Sequence, residues 1–117
     1  MTRVPPVQHD AYDLALALYR EVPRFPKAQR FVLGQRIEHA SLTVLFAVQR
    51  ARETSLREGS LREASRALDE LRLLLRLALD LGFVPAERHG ALAERVDALG
   101  KQIGGWLKSL SPPRSTP

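Results

Sequence analysis

The chain has 117 residues, of which 44% are hydrophobic and 26% charged, and 18 basic against 13 acidic side chains give it a formal charge of +5. That length suits one compact domain with a core of its own. The absence of cysteine excludes disulfides, thiol catalysis and zinc–thiolate sites. Apolar runs such as Leu73–Leu75 are far too short to span a bilayer and no signal-peptide pattern opens the chain, so a cytoplasmic protein away from membranes is expected. Ala, Leu, Arg and Glu dominate the background, which favours helix over strand.

In chain order, residues 1–9, with Pro5 and Pro6, read as a disordered tail, and residues 10–110 read as the folded domain. A first helix is predicted from Asp10, as N-cap, to Val22, with Tyr12, Ala15, Leu18, Tyr19 and Val22 as its inner face. A second runs from Pro26 to about Glu53 and carries the seam Gly34, Ile37, Ser41, Val44, Val48 and Ala51. The third begins at Ser60, placed to form a capping box with Glu63, carries Leu61, Ala64, Leu68, Leu71, Leu75 and Ala78, and stops at Gly82 in a left-handed conformation. The fourth starts at Pro85 or Ala86, carries Leu92, Val96, Leu99, Ile103, Trp106 and Leu110, and ends near Leu110. Residues 111–117, with Pro112, Pro113 and Pro117, read as a second disordered tail. Short connections between antiparallel neighbours make an all-α, up-down-up-down four-helix bundle the economical architecture.

That bundle does not use all the apolar surface. Phe31, Leu42 and Phe46 project roughly opposite the seam of the second helix, and Leu73, Leu74, Leu77 and Leu81 add a second stripe to the third. An additional subunit is the expected cover, with Phe31, Leu42, Phe46, Leu73 and Leu77 at a homo-oligomer interface; the alternative is that the first and fourth helices wrap the third more fully.

The catalytic inventory is poor. His9, His39 and His89 fit no metal-binding spacing, so neither a metal nor a cofactor is expected. Acids stand where they can pair with arginines on the same helix, as Asp69 does with Arg72 and Asp80 with Arg76, so paired catalytic carboxylates cannot be argued. Gly100, Gly104 and Gly105 follow no strand and read as points of close helix contact rather than a phosphate loop. A small helical ribonuclease would need an Arg and a His four to six residues apart; Arg36 is too close to His39 and Arg30 too far. No enzyme is expected.

Basic clustering is the remaining functional signal. Between Val22 and Ile37 stand Arg24, Lys27, Arg30 and Arg36 with no acid, and the stretch contains a helix start whose free N–H groups attract phosphate. Arg72 and Arg76 share a face of the third helix, and Lys101 opens an acid-free C-terminal stretch. Arginine forks suit phosphates but read no base sequence by themselves. Fifteen arginines against three lysines is also the bias of a GC-rich genome, and a merely solvated charged face is the plain alternative.

The stretch Phe25-Pro26-Lys27-Ala28-Gln29-Arg30-Phe31-Val32-Leu33-Gly34-Gln35-Arg36-Ile37 resembles the accessory variability determinant (Avd) proteins of diversity-generating retroelements, which group with four-helix-bundle proteins encoded in 23S ribosomal-RNA intervening sequences. Leu71–Ala78 and Gly100–Trp106 agree with it. The resemblance implies a pentameric ring of four-helix bundles that binds nucleic acid, RNA or DNA, and a reverse transcriptase during mutagenic copying of a template RNA. It carries Lys27, Arg30, Arg36, Arg72, Arg76 and Lys101 over as contacts, with the transcriptase supplying all the chemistry. His39-Ala40-Ser41-Leu42-Thr43 departs from the small-residue segment usual in the intervening-sequence relatives and favours the retroelement branch. The competing reading is a structural helical oligomer of intervening-sequence type that binds protein partners only.

Overall fold

The computed structural model describes residues 6–110. Four helices form the fold: α1 (Pro6–Glu21), a composite α2, α3 (Arg57–Asp80) and α4 (Ala86–Leu110). Helix α2 runs without interruption through α-helical Lys27–Gln29, a π-helical turn at Arg30–Gly34 and α-helical Gln35–Arg50. Helix α1 packs on α2 and α4, and α3 completes the ring between them, as the up-down-up-down bundle requires.

The seams explain the packing. Every seam residue predicted for α2 and α3 is buried, as are Leu92, Val96, Leu99 and Ile103 of α4, while Trp106 and Leu110 are half-buried at its end. Steps of three and four place these residues on one side of each helix, and the bundle axis is their common core. Helix α3 stops where expected. Gly82 adopts φ +79°, and the Phe83 and Gly82 N–H groups donate to the Ala78 and Leu79 carbonyls at 2.8 and 3.0 Å, a Schellman closure that only glycine adopts without strain.

Three expectations are corrected. Helix α1 already includes Pro6, ahead of the expected cap at Asp10, so residues 6–9 are helical and not part of a tail. Proline lacks only an N–H that the first turn leaves free, and Val7 is buried, so packing carries the helix back four residues. Asp10 therefore lies inside the helix and, instead of capping it, accepts a hydrogen bond from Gln102 Nε2 of α4 at 2.7 Å. The expected tails at residues 1–5 and 111–117 lie outside the described residues.

The inner face of α1 also differs in part from the expected one. It is Val7, Ala11, Leu14, Ala15 and Leu18, followed by Val22, whereas Tyr12 and Tyr19 are exposed.

Helix α3 begins at Arg57, three residues before the expected cap at Ser60, which is buried within the helix. Arg57 makes this possible by donating to the Ala51 and Arg52 carbonyls at 2.8 and 3.1 Å, holding the end of α2 against the new helix. Its guanidinium also lies 5.3 Å from the Trp106 ring centroid.

Most of the second apolar stripe stays bare in the single chain. Phe31, Phe46, Leu73, Leu77 and Leu81 are all exposed, Leu73 at 74%, while Leu42 is half-buried and Leu74 is half-buried against the core. Helices α1 and α4 thus do not wrap α3 to its outer side. Of the three glycines read as close-contact points, Gly100 alone is approached, by the Arg72 guanidinium, while Gly104 and Gly105 face open space.

Candidate nucleic-acid interface

The corner between α1 and α2 is set by two prolines and one aromatic ring. A 3-10 turn at Val22–Arg24 carries Pro23. Pro26 holds the preceding Phe25 extended, at φ −70° and ψ 156°. The Phe25 side chain is 2% exposed and packs against Phe83 with ring centroids 5.8 Å apart. This anchor turns the chain sharply and leaves Arg24, Lys27 and Arg30 exposed around the start of α2. Arg30 Nε donates to the Phe25 carbonyl at 3.1 Å, which fixes the root of its guanidinium at the corner. None of the three has a carboxylate partner among the described residues. The π-helical turn then exposes Phe31 and Val32 beside them.

The other predicted contacts are in a different electrostatic state. Arg36 pairs with Glu70 of α3. Arg72 donates to Asp69 at 2.6 Å and to Asp97 of α4 at 3.0 Å, and Arg76 to Asp80 at 3.2 Å. Lys101 is unpaired among the described residues and lines a cleft of about 400 Å³ between α3 and α4 with Ser65, Arg72, Asp97 and Gly100. The seven bases therefore do not form one surface. Arg24, Lys27 and Arg30 stand within one short stretch of chain with their charge unanswered among the described residues, whereas Arg36, Arg72 and Arg76 are each neutralised by an acid.

The sequence reading missed a further basic cluster. Arg20 and Arg24 of the α1 end face Arg88 and Arg95 of α4 across a second cleft, with Glu21 between them. Glu21 is buried and accepts three hydrogen bonds from Arg88 at 3.0 to 3.2 Å. The signal was present in the spacing, since Arg20 and Arg24 are four apart and Arg88 and Arg95 seven, but the two helices meet only in the fold. Among the described residues no three His, Asp or Glu side chains gather as a metal-ligand set. No described helix is long and apolar enough to cross a membrane.

The profile of the bAvd-like family matches residues 7–110, which is almost the whole described bundle. The chain belongs to the bAvd-like family. The resemblance read from Phe25–Ile37 is thereby established, and the chain is an Avd-type accessory protein at the level of the family. A protein of unknown function from the S23 ribosomal protein family of Bacteroides thetaiotaomicron has a similar solved structure, with a TM-score of 0.80 over 87% of this chain and 95% of that one. At 14% sequence identity that likeness shows the bundle alone. No curated protein matches the chain. For this bAvd-like chain, Lys27 and Arg30 of the corner lie within the Phe25–Ile37 segment that carries the family resemblance, and Arg24 stands just before it.

Proposed function

We propose that this chain is a non-catalytic accessory protein of a diversity-generating retroelement, which binds template RNA or DNA and the retroelement reverse transcriptase to support mutagenic copying. The observation that carries the reading is the corner at which Arg24, Lys27 and Arg30 stand exposed with no acid partner, in a chain whose α3 arginines Arg72 and Arg76 are neutralised. Three free cations beside a helix start attract phosphates without reading bases, as an accessory factor working along a template requires. Exposed Phe31, Phe46, Leu73 and Leu77, with half-buried Leu42, supply the surface for assembly into a homo-oligomer, a pentamer by analogy with the family.

The test is binding of labelled template RNA at several salt concentrations, combined with co-purification of the reverse transcriptase. Expected are a complex with the transcriptase and an affinity for RNA that falls steeply with salt, by about 0.7 to 0.9 in logarithmic slope for each phosphate neutralised. Failure to bind RNA at low salt, with assembly intact, would overturn the nucleic-acid reading. The bare apolar stripes would then favour the second reading, a structural oligomer that binds proteins only.

A further inference from the structure

The cleft between the end of α1 and the first half of α4 has a volume of about 220 Å³, and its charged lining is Arg20, Glu21, Arg24, Arg88 and Arg95 over an apolar floor that includes Leu92. Glu21 is fully committed, because its buried carboxylate is engaged by the Arg88 fork. Four guanidiniums against one carboxylate leave a surplus of three positive charges. Arg20, Arg24 and Arg95 have no carboxylate in salt-bridge reach among the described residues. Glu87 and Glu94 precede Arg88 and Arg95 by one position each and so stand about 100° round the helix from them. Arg36, Arg50, Arg72 and Arg76 each have an acid at hydrogen-bonding distance; in this cleft four arginines converge from two walls and Arg88 alone is answered.

We propose that this cleft binds a phosphate group, and that it favours the dianionic monoester at a nucleic-acid chain end over an internal diester. A monoester presents three terminal oxygens and two charges to three unanswered guanidiniums, whereas a diester presents two free oxygens and one charge. Planar guanidinium forks match phosphate oxygens in pairs, and an apolar floor strengthens each such contact by excluding water. Arg88, held by Glu21, gives the site one rigid wall. The inference deepens the nucleic-acid reading and rests on it for the carrier of the phosphate.

The experiment compares RNA strands of one sequence bearing a 5′-phosphate, a 3′-phosphate or neither, by fluorescence anisotropy. It uses the full chain and the double variant Arg20→Gln/Arg95→Gln, whose substituted side chains are exposed and whose folding is verified by circular dichroism. The wild type is expected to bind at least one phosphorylated form about tenfold more tightly than the unmodified strand. The double variant is expected to lose that preference while keeping its affinity for the unmodified strand through Lys27 and Arg30. Equal binding of all three strands by the wild type, or a preference that survives in the variant, overturns the proposal. If no strand binds, the nucleic-acid reading fails and a titration with inorganic phosphate decides for the cleft alone. Arginine Nε resonances that shift in the wild type and not in the variant support a free phosphate as ligand; unmoved resonances overturn the site.

Discussion

A β-carbon added at Gly34 would lie 2.6 Å from Cγ1 of Val22. Gly34 is the last residue of the π-helical turn, and Val22 is the buried start of the turn that ends α1, so the bare glycine lets the two chain segments meet. Val22 is a short, stiff side chain with core on its other side, and it has nowhere to withdraw. Gly34→Ala is expected to destabilise the bundle by about 1 to 3 kcal/mol, the range for overpacking a core. Gly104→Ala, at a helical site facing open space, is expected to be neutral or stabilising by up to about 1 kcal/mol through helix propensity. Urea unfolding of the two variants checks the contrast.

The two groups of bases are expected to separate in salt titrations of RNA binding. Arg24→Gln/Lys27→Gln/Arg30→Gln removes three free charges and is expected to flatten the logarithmic slope by about 2 units, given 0.7 to 0.9 per phosphate. Arg72→Ala/Arg76→Ala removes charges already answered by Asp69, Asp97 and Asp80. A smaller change in slope is therefore expected, and a stability cost within about 1 kcal/mol, since these pairs are exposed. A larger loss from the α3 pair than from the corner would relocate the binding surface to α3.

Among the described residues, Glu21 and Arg88 form the one ion pair with a buried carboxylate. Arg88→Ala is expected to cost about 1 to 3 kcal/mol, because it leaves that carboxylate without its donors. Arg88→Lys is expected to recover only part of the loss, since an ammonium does not reproduce the fork. Thermal unfolding of both variants checks the order.

Partial burial disturbs the titration of Glu38. Desolvation raises its pKa above the ordinary 4.5. The folded chain then holds this proton more tightly than the unfolded chain, so the stability linked to it is full below pH 4.5 and is lost as pH rises through the folded value. Glu38→Gln is expected to stabilise the protein at neutral pH and to flatten the pH dependence of unfolding in that window. Denaturant midpoints measured across pH 4 to 7 test it.

Phe46 is 56% exposed in the single chain. Phe46→Glu is expected to leave the helical signal and the unfolding free energy of the subunit nearly unchanged, within about 0.5 kcal/mol. The mass in sedimentation is expected to fall from oligomer to subunit. A wild type that sediments as a monomer, or helicity lost in step with assembly, would contradict this.

The seams of α2, α3 and α4 were legible because each is a local pattern: steps of three and four place Ile37, Leu68 or Val96 inward whatever the neighbours do. The stop at Gly82 was legible for the same reason. What failed depended on contacts from elsewhere in the chain. Asp10 and Ser60 are good caps by residue type, yet Val7 packs into the core ahead of one, and Arg57 ties down two carbonyls ahead of the other. Tyr12 and Tyr19 were read inward for their aromatic rings, yet Ala11 and Leu14 hold the inward face and leave both rings exposed. For the candidate site, the basic run from Arg24 to Arg30 could be seen directly. Its distinction from Arg72 could be half seen, through Asp69 and not through Asp97, which lies 25 residues away. Glu21 and Arg88 are 67 residues apart, and no local pattern joins them.

The turn at Arg30–Gly34 gives the bundle a means of adjustment. A π-turn closes on a residue one farther along than an α-turn does, so it stores one extra residue between the start of α2 and the seam that begins at Gly34 and Ile37. Removing an exposed residue there, such as Val32, would let the helix close as a uniform α-helix with its seam in place. Both flanks would keep their facing, because the turn takes up its extra residue as a local bulge, whereas the same deletion in a uniform α-helix would swing Lys27 and Arg30 by about 100° about the helix axis. A single-residue deletion at this point is therefore absorbed where it occurs. The length of this segment can thus change by one residue while the charged corner and the packing inside the bundle keep their places.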